Sequence, residues 1–105
     1  MTGEFEVCWT DFAEKQLDLI FEYYIQEAGY GVARNIVQGL IARVEILNSF
    51  PESGQIEPAL SLLPDEFRYL VEGNYKILYF IKDKSVAIID VFDTRRNPEK
   101  IKRGL

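Results

Sequence analysis

The stretch between residues 67 and 92 most narrows the folds that this chain can adopt. It consists of three strand-length segments rich in β-branched and aromatic residues, separated only by Gly73-Asn74 and Asp83-Lys84. Two-residue turns join antiparallel neighbours, because parallel strands need a crossover of a dozen residues or more. The pattern therefore predicts a three-stranded antiparallel meander with strands at 67–72, 75–82 and 85–92.

Two segments with apolar residues at helical spacing precede the meander. The first spans residues 11–27, and the second spans residues 33–47. Pro51 ends the second helix, because the residue before a proline disfavours the helical conformation. Alternation over residues 4–9 adds a short strand before the helices. A strand, an antiparallel helical hairpin and a meander predict an α+β fold, and the length of 105 residues suits a single domain.

Strict alternation divides the meander into two faces. The face predicted to pack on the helices carries Phe67, Tyr69, Val71, Leu78, Phe80, Ala87, Ile89 and Val91. The other face carries Arg68, Leu70, Tyr75, Ile77, Tyr79, Val86, Ile88, Asp90 and Phe92. Two helices cover one face, so the second is predicted to be open, and an apolar surface of this size is typical of a partner site. The alternatives are that the 51–65 loop or a dimer mate covers it, and a one-residue register shift would exchange the faces.

Missing residue types exclude several kinds of site. The sequence has no histidine and a single cysteine, Cys8. We therefore expect no metal or other cofactor, no histidine-based catalysis and no disulfide within the chain, with Cys8 as a buried or half-buried filler. No apolar stretch is long enough to cross a membrane and no secretory signal pattern appears, so we expect a cytoplasmic protein without membrane contact.

Charge is divided unevenly along the chain. The formal net charge is −5, whereas residues 95–105 contain five basic residues and one acidic residue. An acidic chain is a poor ligand for nucleic acid phosphates, so sequence-specific nucleic-acid binding is not expected. The basic end can contact phosphate or an acidic partner, although a solvated tail is the simpler interpretation.

Four short motifs, in this order and spacing, resemble the RelE/ParE toxin superfamily over essentially the whole chain. They are Phe50-Pro51 with Gly54, Arg68-Tyr69-Leu70, Tyr75-Lys76-Ile77-Leu78-Tyr79, and Val91-Phe92-Asp93-Thr94-Arg95-Arg96-Asn97-Pro98. The resemblance implies a bacterial toxin that is neutralised by an antitoxin encoded beside it. RelE-like members cut messenger RNA on the ribosome, whereas ParE-like members act on DNA gyrase and are not known as nucleases.

The resemblance also directs attention to two sets of residues. Candidates for catalysis are Arg68, Lys76 and Arg95, which make an anion site if they converge, and the same three with Arg96 are candidates for target binding. Each has a purely structural role in the sheet as its alternative. The open apolar face is predicted to bind the antitoxin through Tyr75, Ile77, Tyr79, Ile88 and Phe92.

Departures from the nuclease pattern favour the ParE-like branch. RNA cleavage needs a group that activates the 2′-hydroxyl and cations that stabilise the phosphate. The first meander strand has one basic residue, and neither tyrosine nor histidine follows Pro98. Tyr75 and Tyr79 suit neutral pH poorly, since an unperturbed phenol has a pKa of about 10. We therefore predict a toxin that inhibits gyrase by binding rather than by catalysis. A RelE-like ribosome-dependent endoribonuclease and a non-toxic adaptor that binds a peptide are the alternatives.

Overall fold

The computed structural model describes residues 4–95 and arranges them as a mixed sheet with a helical hairpin on one face. In chain order the elements are β1 (Glu6–Trp9), α1 (Asp11–Ala28), α2 (Tyr30–Arg43), β2 (Gln55–Ile56), β3 (Phe67–Glu72), β4 (Tyr75–Lys82) and β5 (Ser85–Asp93). Short 3₁₀ helices occupy Val44–Asn48, Pro51–Ser53 and Pro58–Leu60. The predicted α+β class, helical hairpin and meander are confirmed.

The meander forms the centre of a larger sheet than the sequence predicted. Within the described residues the strand order is β1-β5-β4-β3-β2, with β1 parallel to β5 and β2 antiparallel to β3. In β2 only Gln55 and Ile56 pair, with Tyr69 and Arg68, and a two-residue strand is too short for periodicity to reveal. Val7 and Trp9 pack against the buried cluster, so Cys8 between them points to the other side of this edge strand and is exposed. This corrects the prediction that it is buried or half-buried.

Thr10 fixes the start of α1 on the sheet. Its hydroxyl oxygen accepts a hydrogen bond from the N–H of Ala13 at 3.2 Å, which caps the helix, and its hydroxyl donates to the carbonyl of Ile88 at 2.9 Å. The helix ends at Gly29, whose φ of 94° is a conformation that favours glycine, and α2 begins directly at Tyr30. The two helices therefore form a tight hairpin anchored on β5.

The helices cover the face of the meander that was predicted to be open, so the two faces are exchanged. The buried cluster beneath them combines Leu70, Ile77, Tyr79, Val86, Ile88 and Val91 of the sheet with Ala13, Leu17, Leu40, Val44 and Leu47. This face also carries Arg68 and the Tyr79 hydroxyl, which can be covered only because backbone groups of the 51–54 loop bond to them. The alternation of apolar and polar residues along a strand does not reveal whether a loop supplies such hydrogen-bond partners.

A bulge in β5 inverts its alternation near the end. Tyr79 pairs with Ile88, but the preceding Leu78 pairs with Asp90, so β5 has one extra residue here. Val91 therefore joins the cluster under the helices, whereas Phe92 belongs to the opposite face. Strict alternation cannot contain a bulge, but here the bulge and the exchange of the faces offset each other. Val91 therefore packs beneath the helices and Phe92 lies on the other side of the sheet, as predicted for each.

The opposite side of the sheet, the outer face, is covered in part by the chain itself. Its buried residues are Leu60, Phe67, Leu78, Ile89 and Phe92, with Tyr69, Phe80 and Ala87 packed around them. Leu60 comes from the 3₁₀ helix Pro58–Leu60. The loop between α2 and β3 therefore does cover one face, but it is the face that was predicted to pack on the helices.

Candidate functional site

Arg68 lies at the start of β3 and fastens the preceding loop to the sheet. Its Nη1 donates to the carbonyl oxygens of Gly54 at 2.8 Å and Glu52 at 3.1 Å. Its Nη2 lies 3.4 Å from a carboxylate oxygen of Glu66, and the side chain is only 15% exposed. These contacts direct the guanidinium to its own backbone rather than to a ligand.

Lys76 lies on the outer face and neutralises a buried carboxylate. Its ammonium is 2.9 Å from Oε1 of Glu57 and 4.0 Å from the centre of the Tyr69 ring. Glu57 is 4% exposed, and its other oxygen accepts a hydrogen bond from the N–H of Ala59 at 3.0 Å. A buried carboxylate needs partners of this kind, so the charge of Lys76 is already matched within the chain.

Arg95 follows β5 and is the exposed cation of the predicted set. Its Nε and Nη2 donate to the two carboxylate oxygens of Asp93 at 3.0 and 2.6 Å, and its side chain is 63% exposed. These hydrogen bonds raise the pKa of the Arg95 guanidinium. Arg96, the fourth predicted target-binding residue, lies outside the described residues.

The three described cations do not converge on one anion site. Lys76 lies on the outer face, whereas Arg68 pairs with Tyr79 on the helix-covered face. Arg95 lines a groove with Tyr75, which is four residues from Tyr79 along β4, or about 13 Å at the rise of a strand. The sheet separates Lys76 from the two arginines, and the length of β4 separates the arginines from each other. The condition for a shared anion site, that these three cations converge, is therefore not met.

Both tyrosines of β4 are held in the protonated form. The Tyr79 hydroxyl donates to the Pro51 carbonyl at 2.7 Å and accepts from the Gly54 N–H at 2.9 Å, and burial raises its pKa above the usual 10.0. Burial likewise raises the pKa of Tyr75, with a further contribution from the Tyr24 hydroxyl at 3.4 Å. A raised pKa lowers the already small fraction of phenolate near neutral pH, so neither group is suited to accept a proton there.

The residues predicted to bind an antitoxin do not form an exposed face. Ile77, Tyr79 and Ile88 are each 0% exposed beneath the helices. Phe92 is 7% exposed and lies on the outer face, which leaves only Tyr75 partly accessible. The exchange of the two faces accounts for the burial of Ile77, Tyr79 and Ile88, whereas Phe92 is buried in the outer cluster that includes Leu60. Four of these five side chains are therefore not accessible at the surface.

An open groove of about 480 Å³ lies between α1 and the end of β5, and we call it the α1–β5 groove. Its lining includes Leu19, Ile20, Tyr23, Tyr75, Phe92 and Arg95. Leu19 and Tyr23 are 49% and 54% exposed and lie one turn apart, outside the core-facing stripe of α1. Sequence reasoning missed this groove, although two large apolar residues outside that stripe were a signal for a second apolar surface.

Between residues 4 and 95, His, Cys, Asp and Glu side chains form no group of three or more that could hold a metal ion. Over the same residues, no helix combines the length and the apolar character needed to cross a membrane.

The sequence over residues 7–98 matches the family model of the ParE toxin of the type II toxin–antitoxin system parDE. The chain belongs to the ParE toxin family. The resemblance to the superfamily and the assignment to its ParE-like branch are thereby confirmed. The comparison with curated proteins found no match.

A solved structure, described as the chromosomal ParDE toxin–antitoxin system from P. aeruginosa, shares the fold of this ParE-family toxin. The TM-score is 0.74 at 23% sequence identity, and the match covers 88% of this chain and 98% of that one. At this identity the likeness concerns the fold. Family membership makes the chain a toxin of a type II system, a class that has an antitoxin as its partner.

Proposed function

We propose that this ParE-family toxin inhibits bacterial growth by binding DNA gyrase rather than by cutting RNA, and that an antitoxin encoded beside it neutralises it. One observation carries the choice of mechanism. Arg68, Lys76 and Arg95 lie on different faces or ends of the sheet, and each is hydrogen-bonded or ion-paired within its own chain.

Cleavage of RNA places stricter demands on a site than binding does. Cations must surround one phosphate, and a nearby group must accept the proton of the 2′-hydroxyl. Lys76 and Arg68 lie on opposite faces of the sheet, and burial raises the pKa of both Tyr75 and Tyr79. The net charge of −5 also opposes a close approach to ribosomal RNA. These features support inhibition by binding.

Among the candidates for target binding, Arg95 is the best placed. Its side chain is 63% exposed, compared with 15% for Arg68 and 24% for Lys76. Arg96 follows it directly in the sequence and adds a second positive charge at this end of the chain. We therefore assign gyrase binding first to the Arg95-Arg96 pair.

Inducible expression in a bacterial host tests the proposal. We expect growth arrest together with an increase in cleaved gyrase–DNA complexes, and no new cuts in messenger RNA at ribosomes. Codon-positioned cuts would instead identify a RelE-like nuclease. Normal growth with soluble protein would favour the non-toxic adaptor.

A pair of variants tests the assigned residues. Arg95→Ala with Arg96→Ala should lower toxicity and the yield of cleaved complexes, because two cations at the proposed contact are removed. The matched control is Arg34→Ala with Lys82→Ala, which removes two exposed cations elsewhere on the surface. Equal toxicity of both variants and the unchanged chain would remove the arginine pair from the functional residues.

A further inference from the structure

The α1–β5 groove presents large apolar side chains to solvent. Leu19 and Tyr23 lie along its rim at 49% and 54% exposure. Tyr75 and Phe92 line the groove from the sheet. An apolar groove beside a helix is the kind of surface that a peptide segment of a partner fills.

A row of carboxylates runs along α1 beside this groove. Asp11, Asp18 and Glu22 recur at intervals of seven and four residues, which places them on one side of the helix, and all three are exposed. Lys15 is a single base within the same row, so the acids predominate. Asp18 and Glu22 adjoin Leu19 on the outer side of the groove, and Arg95, the cation among the residues that line it, is paired with Asp93. A segment entering the groove therefore meets apolar side chains and an acidic outer rim.

We propose that the α1–β5 groove binds a basic amphipathic segment of the antitoxin, an inference that rests on the function proposed above. Apolar side chains of that segment pack against Leu19 and Tyr23, and its lysines and arginines lie against Asp18 and Glu22. Charge complementarity selects this occupant, since an acidic segment would be repelled both by the rim and by a chain of net charge −5.

The charged half of the proposal is tested with the product of the neighbouring reading frame, purified with this chain. Asp18→Lys with Glu22→Lys should slow association about tenfold at low salt, and the difference should shrink as salt screens the charges. The control is Glu45→Lys with Asp65→Lys, which makes the same change in net charge at exposed positions that adjoin neither the groove nor Leu19. It should have a clearly smaller effect.

The apolar half is tested by Leu19→Gln with Tyr23→Gln. We expect the Kd of the complex to rise about 30-fold or more, as it does when central apolar contacts of an interface are lost. Ile41→Gln is the control, because Ile41 is 40% exposed on α2 and does not line the groove. All these positions are on the surface, and circular dichroism checks that each variant keeps its fold.

The outcomes separate this inference from the proposed function. If the unchanged pair binds and the groove variants bind equally well, the inference fails and the proposed function stands. If the unchanged chain is not toxic and forms no complex, the proposed function fails. Lysine-to-glutamate changes in the antitoxin segment that restore binding to the Asp18→Lys, Glu22→Lys variant would support the inference.

Two other occupants would each overturn it. A free toxin that dimerises, and loses its dimer in the groove variants, would assign the groove to a second copy. Resonances of Leu19 and Tyr23 in the free toxin that shift on Lys100→Glu with Lys102→Glu would assign it to the basic end of the same chain.

Discussion

Two tyrosine–arginine pairs along β4 use the same residue types for different purposes. In the first, which we call the Tyr79–Arg68 corner, the tyrosine is 0% exposed, the arginine side chain is 15% exposed, and both bond to the backbone of the 51–54 loop. In the second, the Tyr75–Arg95 edge, the tyrosine is partly exposed and the arginine is 63% exposed beside Asp93.

The groups that lie opposite a side chain decide its role in this fold. At the Tyr79–Arg68 corner, loop carbonyls need donors, and a buried phenol and guanidinium supply them. At the Tyr75–Arg95 edge, the arginine is 63% exposed and pairs with Asp93 two residues away, and an ion pair screened by solvent on its cationic side contributes little to stability. The corner is therefore expected to hold the chain together, whereas the edge remains accessible to a partner.

The largest expected effect comes from adding one methyl group at the corner. In Gly54→Ala the new Cβ would lie 2.5 Å from the Tyr79 hydroxyl oxygen and 2.7 Å from the Tyr69 carbonyl oxygen. Overpacking of this kind lowers the free energy of unfolding by about 3 kcal/mol. Urea denaturation followed by circular dichroism measures the change.

Gly31→Ala is the matched control for this substitution. Nothing lies within 4 Å of a Cβ at Gly31, which is in the first turn of α2. Alanine favours a helix over glycine by up to about 1 kcal/mol, so stability should stay equal or rise. If the free energy of unfolding falls by a similar amount in both variants, the close contact at Gly54 is not the cause of the loss.

A smaller effect is expected from removing one hydroxyl group from each pair. Tyr79→Phe leaves the Gly54 N–H and the Pro51 carbonyl without their partner, and we expect a loss of about 2 kcal/mol in the free energy of unfolding. Tyr75→Phe removes only a 3.4 Å contact with Tyr24, so its cost should be about 0.5 kcal/mol or less. The same urea titrations compare the two variants, and a larger loss at Tyr75 would reverse the proposed roles.

The elements with a long repeat could be predicted from the sequence. The apolar spacing of α1 and the two-residue turns after Glu72 and Lys82 place the helix and the meander strands within one residue of their observed bounds. A long segment is informative because several apolar residues at the same spacing indicate the same buried side of the helix or strand. The second helix was less regular, since α2 ends at Arg43 and a 3₁₀ helix continues to Asn48.

The covered face of the sheet could not be predicted in the same way. Both faces are rich in apolar residues, and the choice between them depends on whether Arg68 and Tyr79 find partners in a loop that has no repeat. The bulge opposite Leu78 then reverses the alternation, so that Val91 and Phe92 lie on the sides of the sheet predicted for them although the rest of the pattern is exchanged. This error affects the predicted site residues most, because a residue proposed for binding becomes part of the core when its face is exchanged.

The ionisation of the two tyrosines has the smallest expected effect on the free energy of unfolding near neutral pH. Burial raises the pKa of both Tyr75 and Tyr79 above the 10.0 of an exposed phenol. Above pH 10 the unfolded chain therefore loses protons that the folded chain keeps, and the free energy of unfolding falls as the pH rises further. Below pH 10 both states keep these protons, so the two phenols add no pH dependence.

Urea midpoints measured from pH 9 to pH 11 test this linkage in the unchanged chain, in Tyr75→Phe and in Tyr79→Phe. Each variant should fall less steeply between pH 10 and pH 11, because it lacks one phenol that is kept protonated in the folded state. If Tyr75→Phe keeps the full alkaline slope, the Tyr75 phenol is as open to water as in the unfolded chain. The contrast between the corner and the edge would then be sharper, because only the corner would hold a buried phenol.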